Sequence, residues 1–207
     1  MSLLTNWGYT LTEIEALPDM LTASEYNTMT NGKYAGYGDQ IEAEIRAAGM
    51  AIRNFVGWHL TPSAACELKT TFFDRRVAWV GHDVLIQLPA RFVTEITSVT
   101  IGGTSFDDYV LDTTGLLRVI DVGMAERKTE IDILYTAGLP DGLMAPVEEL
   151  IAHRVTHSVA LPPGITSEAS GGVSVTYNAN WINNARATGL ASDNKELLIP
   201  YKVQGVF

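Results

Sequence analysis

With a single cysteine, Cys66, among 207 residues, the chain can form no internal disulfide and no cysteine cluster for zinc. Cys66 is expected as a small buried hydrophobe. Basic residues are also scarce: 14 Lys and Arg stand against 24 Asp and Glu, a formal net charge of -10. No dense basic run offers the counterion release on which tight nucleic-acid binding depends, so specific DNA or RNA binding is not expected. The acidity does suit a surface past which DNA slides, because like charge keeps it from sticking. No apolar run approaches the ~18 residues that span a bilayer. The opening MSLLTNWGYT lacks the basic and apolar regions of a secretory leader. The chain reads as a soluble protein made in a cytoplasm, with no membrane association.

Signatures of chemistry are missing as well. There is no Gly-x-Ser-x-Gly elbow, and Cys66 has no convincing His/Asn set. In NGKYAGYGDQ, Lys33 comes too early for a P-loop, no Ser or Thr follows it, and Asp39 would compete with an anion at the helix start. Asp107, Asp108 and Asp112 lack EF-hand spacing and read as turn carboxylates. Glu149, His153 and His157 recur at four-residue spacing, so they share a helix face. Arg154 stands where the general base of HExxH would be, which opposes a metal; a polar face towards solvent or a neighbouring subunit is the preferred reading, and a metal hydrolase a weak third. No enzyme activity, cofactor or metal is expected.

What is present is enough to fold. The chain is 46% hydrophobic and 18% charged, which permits a real core. Residues 1–65 read as short helices: Thr10/Glu13 and Thr22/Glu25 have capping-box spacing. A longer helix from Asp39 to Val56 then carries Ile41, Ile45, Ala48, Ile52 and Phe55 at steps of three and four, closed by Gly57. Residues 66–137 change to short β-branched and aromatic runs with turn signals every eight to twelve residues, a β module. Imperfect alternation in VTEITSVTI predicts a bulge or a double-sided strand. Residues 138–163 return to helix, with Pro146 at its first turn and Leu161-Pro162-Pro163 as its stop. An extended arm follows over 164–181, then a short helix and tail over 182–207. The expected fold class is α+β: a helical core of about four helices, an inserted small antiparallel β module, and the arm.

Several segments, taken in order, resemble the head-to-tail connector (adaptor, head-completion or neck) proteins of tailed bacteriophages. They are YAGYGDQIEAEIRAAGMAIRNFVGWHLTP, LPARFVTEITSVTIGG, YVLDTTGLLRV, EIDILYTAGLPDGLMAPVEELIAHRV, GITSEASGGVSVTYNANW and LLIPYKV. The resemblance spans most of the chain and rests on order and spacing. It implies a structural virion protein assembled in the bacterial host's cytoplasm. Such proteins form a homo-oligomeric ring, usually dodecameric, beneath the portal protein, with helices as the ring wall. The ring extends the DNA channel without binding DNA specifically and receives the downstream neck or tail-completion protein. It also implies that the arm (Ser167, Glu168, Ser170, Gly171, Gly172, Val173, Ser174, Val175, Thr176, Tyr177) and the tail (Leu198, Pro200, Tyr201, Lys202, Val203, Phe207) reach onto the portal or a neighbour.

The arm's own residues fit that role. Gly171-Gly172 allows a bend, and Val173, Val175 and Tyr177 alternate with Ser174 and Thr176, as in a strand that adds to a partner's sheet. The bland alternative is a hairpin packed on its own domain. Glu42, Glu44, Asp121, Glu126 and Glu130 are unranked candidates for channel-lining carboxylates. A competing reading is a β-rich carbohydrate- or protein-binding accessory module of a phage tail, presenting Phe72, Phe73, Trp79 and Tyr109 as an aromatic face.

Overall fold

Alternating hydrophobicity in the middle of the chain becomes ten strands in a computed structural model, which describes residues 2–123, 126, 128–160, 167–170, 173–176 and 192–203. They are β1 (Ser2–Leu4), β2 (Thr10–Thr12), β3 (Ala64–Thr71), β4 (Val77–Val80), β5 (Asp83–Gln87), β6 (Val93–Ile101), β7 (Thr104–Ser105), β8 (Tyr109–Leu111), β9 (Leu116–Val119) and β10 (Glu130–Ala137). All pair antiparallel, in a six-stranded sheet ordered β1-β2-β3-β10-β6-β7 and a four-stranded sheet ordered β4-β5-β9-β8.

These sheets overturn the expected fold class. The β structure is not a small module inserted in a helical core: it comprises two sheets of six and four strands and draws in the N-terminal segment. Thr10–Glu13, expected to start a helix, instead begins with strand β2, whose Leu11 sits opposite Cys66 of β3. The physical reason is burial. Tyr9 and Leu11 are almost fully enclosed, a period of two that only a strand places on one face.

The chain divides into two compact units, each built from separated segments. The first takes Met1–Pro18, Gly57–Pro140 and Tyr201–Phe207; the second takes Asp19–Val56 and Asp141–Pro200. In the first unit each sheet buries one face. Ala64, Cys66 and Leu68 of β3 alternate inward, as do Ile131, Ile133, Tyr135 and Ala137 of β10. Val84, Ile86, Leu117 and Val119 do the same for the four-stranded sheet. The β6–β10 ladder slips register twice, between Leu134 and Tyr135 and between Thr136 and Ala137, which accounts for the irregular alternation of VTEITSVTI.

A buried polar clasp ties this unit together. His59 is fully enclosed, and its Nε2 lies 3.0 Å from the carbonyl of Ala137, at the end of β10. A carbonyl only accepts, so Nε2 carries the proton and Nδ1 is the acceptor. The Tyr9 hydroxyl therefore donates to Nδ1 at 2.7 Å, while its oxygen accepts the His59 backbone N–H at 3.1 Å. Tyr135, across the β3–β10 pair from Cys66, is equally buried, yet its hydroxyl has no oxygen or nitrogen partner and meets only the Cys66 thiol.

The second unit contains α1 (Ala23–Met29), α2 (Gly38–Val56), α3 (Ala145–Ala160) and α4 (Ser192–Leu198). Thr22 and Glu25 form a reciprocal capping box at α1: the Glu25 N–H donates to Thr22 Oγ1 at 3.2 Å and the Thr22 N–H to Glu25 Oε2 at 2.7 Å. In α2 the predicted stripe is buried through Ile41, Ile45, Ala48 and Ile52, each large side chain contributing about 1.5–3 kcal/mol. Gly57 follows at φ +82, the left-handed conformation that stops a helix. Helix α3 packs against α2, and Tyr26 of α1 reaches the Thr156 hydroxyl at 3.0 Å. Two more strands belong to this unit, β11 (Ser167–Ser170) and β12 (Val173–Thr176).

Candidate interaction surfaces

The expected arm is a hairpin. Strands β11 and β12 pair antiparallel with each other, Ser167 opposite Thr176, Glu168 opposite Val175, Ala169 opposite Ser174 and Ser170 opposite Val173. They form a sheet of their own, and neither strand joins another among the described residues. Two strands without a third are marginal in water. Gly171, Gly172 and Tyr177 lie outside the described residues.

Of the expected tail contacts, Leu198 is 1% exposed and so belongs to the core of the second unit, between the exposed Leu197 and Ile199. Pro200 is exposed. Tyr201 to Val203 lie along the sheet unit of their own chain. Trp58 Nε1 donates to the Tyr201 carbonyl at 2.7 Å, and Arg91 Nη1 to that of Lys202 at 3.4 Å. Phe207 lies outside the described residues. Of the proposed channel carboxylates, Glu42, Asp121, Glu126 and Glu130 are exposed and Glu44 is half-buried.

Val203 also borders a groove of about 590 Å³, walled by Asn6, Trp7, Gly8, Arg76 and Gln87. Its charged lining is Arg75 and one ion pair, Asp74 with Arg76. Arg76 grips Asp74 through Nε and Nη2, at 3.1 and 2.7 Å, and reaches the Trp7 carbonyl at 3.4 Å. Arg76's hydrogen bonds outweigh burial and hold the Asp74 carboxyl down at about 2. Asp74 is thus an ionised structural partner at neutral pH, not a proton donor. Gly8, at φ +85, lets the guanidinium approach to 3.0 Å from where a Cβ would stand.

The four aromatics of the alternative reading do not form one face. Phe72 and Trp79 stack at 4.8 Å, and Phe73 beside them is 63% exposed. Tyr109 lies in β8, at the opposite edge of the four-stranded sheet, where its hydroxyl donates to the Ile96 carbonyl at 3.3 Å. Trp79 and Val80 are the exposed apolar residues of β4, a feature for which the sequence offered only the run RRVAWV.

On α3 the rings of His153 and His157 meet edge-on at 4.6 Å. Burial first, and the neighbouring His153 second, push the His157 pKa down, so it is neutral at pH 7. Among the described residues no group of three or more His, Cys, Asp or Glu is placed to hold a metal. Arg154 is half-buried with Nη1 lacking a partner, and its pKa is lowered by burial against the attraction of Glu44. Cys66 is fully buried, its thiol pushed up to about 12, which leaves it protonated and unreactive. No helix among the described residues is long and apolar enough to cross a membrane. No protein-family model matches the chain, and no curated protein matches its sequence.

Proposed function

We propose that this chain is a structural virion protein of a tailed bacteriophage, a ring beneath the portal that joins the DNA-filled head to the tail and extends the DNA channel. The observation that carries the reading is the β11–β12 hairpin, a two-stranded sheet that among the described residues pairs with no other strand and gains most by completing its ladder on a partner. The net charge of -10 supports a lumen past which DNA moves without being gripped. The segment order that resembles connector proteins supplies the candidates for that partner, the portal or a neighbouring copy of the chain. The helical ring wall of those proteins is not carried over, because this chain devotes ten strands in two sheets to its larger unit.

Mass measurement of the protein alone and mixed with the portal of the same phage tests the reading. A ring is expected at least in the presence of portal. A protein that stays monomeric beside its portal, and whose deletion leaves heads and tails normally joined, is not a connector. Removal of Ser167–Tyr177 is expected to abolish docking while the far-ultraviolet circular dichroism of the remainder is retained.

A further inference from the structure

Three of the four outer edges of the two large sheets are short or guarded. β1 is three residues long, and so is β8, which lies between Asp108 and Asp112. β7 covers only Thr100 and Ile101 of β6, but the rest of that strand carries Glu95 and two register slips, devices that discourage edge pairing. β4, four residues long and preceded by Arg75 and Arg76, has no guard within the strand itself. Its residues Val77-Ala78-Trp79-Val80 include no charge and no proline.

The hydrogen-bond pattern shows what this edge offers. The Val77 N–H donates to the Asp74 carbonyl at 2.9 Å, away from β5, whereas the Arg76 carbonyl accepts from Gln87 at 2.8 Å, towards it. Main-chain direction alternates along an antiparallel strand, so the N–H and C=O of Trp79 point outward with those of Val77. No described residue meets the N–H or C=O of Trp79. Apolar side chains crowd the same edge: Trp79 is 39% exposed and Val80 52%.

We propose that β4 is an acceptor edge for a second copy of this chain, and that the β11–β12 hairpin of one copy adds to it as the next strands of the four-stranded sheet. The lengths match, four residues in each hairpin strand and four in β4. The needs match too, since among the described residues the hairpin has no third strand and the edge no neighbour. Charge agrees to the extent of one residue: Arg76 is paired with Asp74, Arg75 is exposed, and the hairpin strands carry one charged residue, Glu168. Donor and acceptor are different surfaces, so the contact is head-to-tail and repeats around a ring. This inference rests on the ring reading and names the contact that builds it.

The test mixes two full-length variants, Val80→Cys and Ser174→Cys, under the conditions that give the oligomer, and treats them with a short bifunctional maleimide. Native Cys66 is buried and gives no background. Linked pairs are expected in the mixture and not with either variant alone. Val80→Lys, on an exposed side chain, is expected to weaken association by about tenfold or more by placing a guard charge on the edge. Trp79→Pro, which removes the outward N–H and spares the bonds to β5, is expected to abolish association with the circular dichroism spectrum retained. Links formed by Val80→Cys alone would mean that β4 pairs with itself, which overturns the hairpin assignment. A ring that forms without the mixed link and tolerates Val80→Lys overturns the docking edge but leaves the ring standing. A chain monomeric in every condition, portal included, overturns both.

Discussion

Tyr9→Phe removes one oxygen from the clasp around His59, and its cost can be worked from the contacts. The hydroxyl donates to His59 Nδ1 at 2.7 Å and accepts the His59 N–H at 3.1 Å, both fully enclosed. Phenylalanine keeps the ring in place but strips two buried polar groups of this partner, with no route for water to replace it. Each such loss costs about 1–3 kcal/mol, and the hydroxyl's own desolvation is recovered, so about 2–4 kcal/mol is expected in total. Tyr135→Phe supplies the control. That hydroxyl is as deeply buried but has no oxygen or nitrogen partner and meets only the weakly bonding Cys66 thiol, so its removal should leave stability within about 0.5 kcal/mol of the parent or raise it. Urea unfolding followed by circular dichroism and tryptophan fluorescence reads both. With a slope of about 1.5–2 kcal/mol/M, Tyr9→Phe lowers the midpoint by about 1–2.7 M. Equal losses for the two variants, or a loss below about 1 kcal/mol for Tyr9→Phe, would refute the assignment of hydrogen-bond roles.

The Asp74–Arg76 pair gives a pH signature. Because the folded carboxyl sits at about 2, below its ordinary 3.8, its contribution is fully present above pH ~4 and is lost as pH falls towards 2. Asp74→Asn is expected to cost about 1–2 kcal/mol at pH 7, with the gap to the parent closing between pH 4 and 2 in acid-unfolding curves. Gly138→Ala is expected to lower stability by about 1–3 kcal/mol or more in thermal melts, because the new Cβ would lie 2.3 Å from Ser63 Cα; an unchanged melt would show that the chain yields there. Cys66 should resist a thiol reagent at pH 8 in the folded protein and react once denatured, as counted by absorbance. Rapid native reaction would mean that the sheet opens.

The sequence showed most clearly those elements whose pattern is local. Helix α2 was expected over Asp39–Val56 and spans Gly38–Val56, because its apolar stripe repeats five times and Gly57 closes it. The β runs were legible from their alternation, and Thr22 and Glu25 do form the capping box their spacing predicts. Thr10 and Glu13 have the same spacing and form none. What separates the two sites is Cys66, more than fifty positions away, against which Leu11 pairs. Tyr9, His59 and Ala137 illustrate the same limit: no local signal marks residues that meet only after both sheets close. The Trp79 edge was half legible, since RRVAWV reads as a strand, but its outer position depends on which strands border it.

Each unit is entered by the chain more than once, and this has a consequence for synthesis and for dissection. Strands β1 and β2 leave the ribosome well before β3, the partner of β2, which follows only after the whole of α1 and α2. β3 in turn waits about sixty residues for its other neighbour, β10. Leu11 can therefore pair only with Leu3 of β1, and not with Cys66 of β3, while the first two helices emerge, a delay of seconds at ordinary translation rates. A fragment cut at residues 66–137, where composition changes most visibly, would omit Leu11, Trp58 and His59 from the core they complete. Such a fragment should aggregate, whereas one joining residues 1–18 to 57–140 by a short linker should fold.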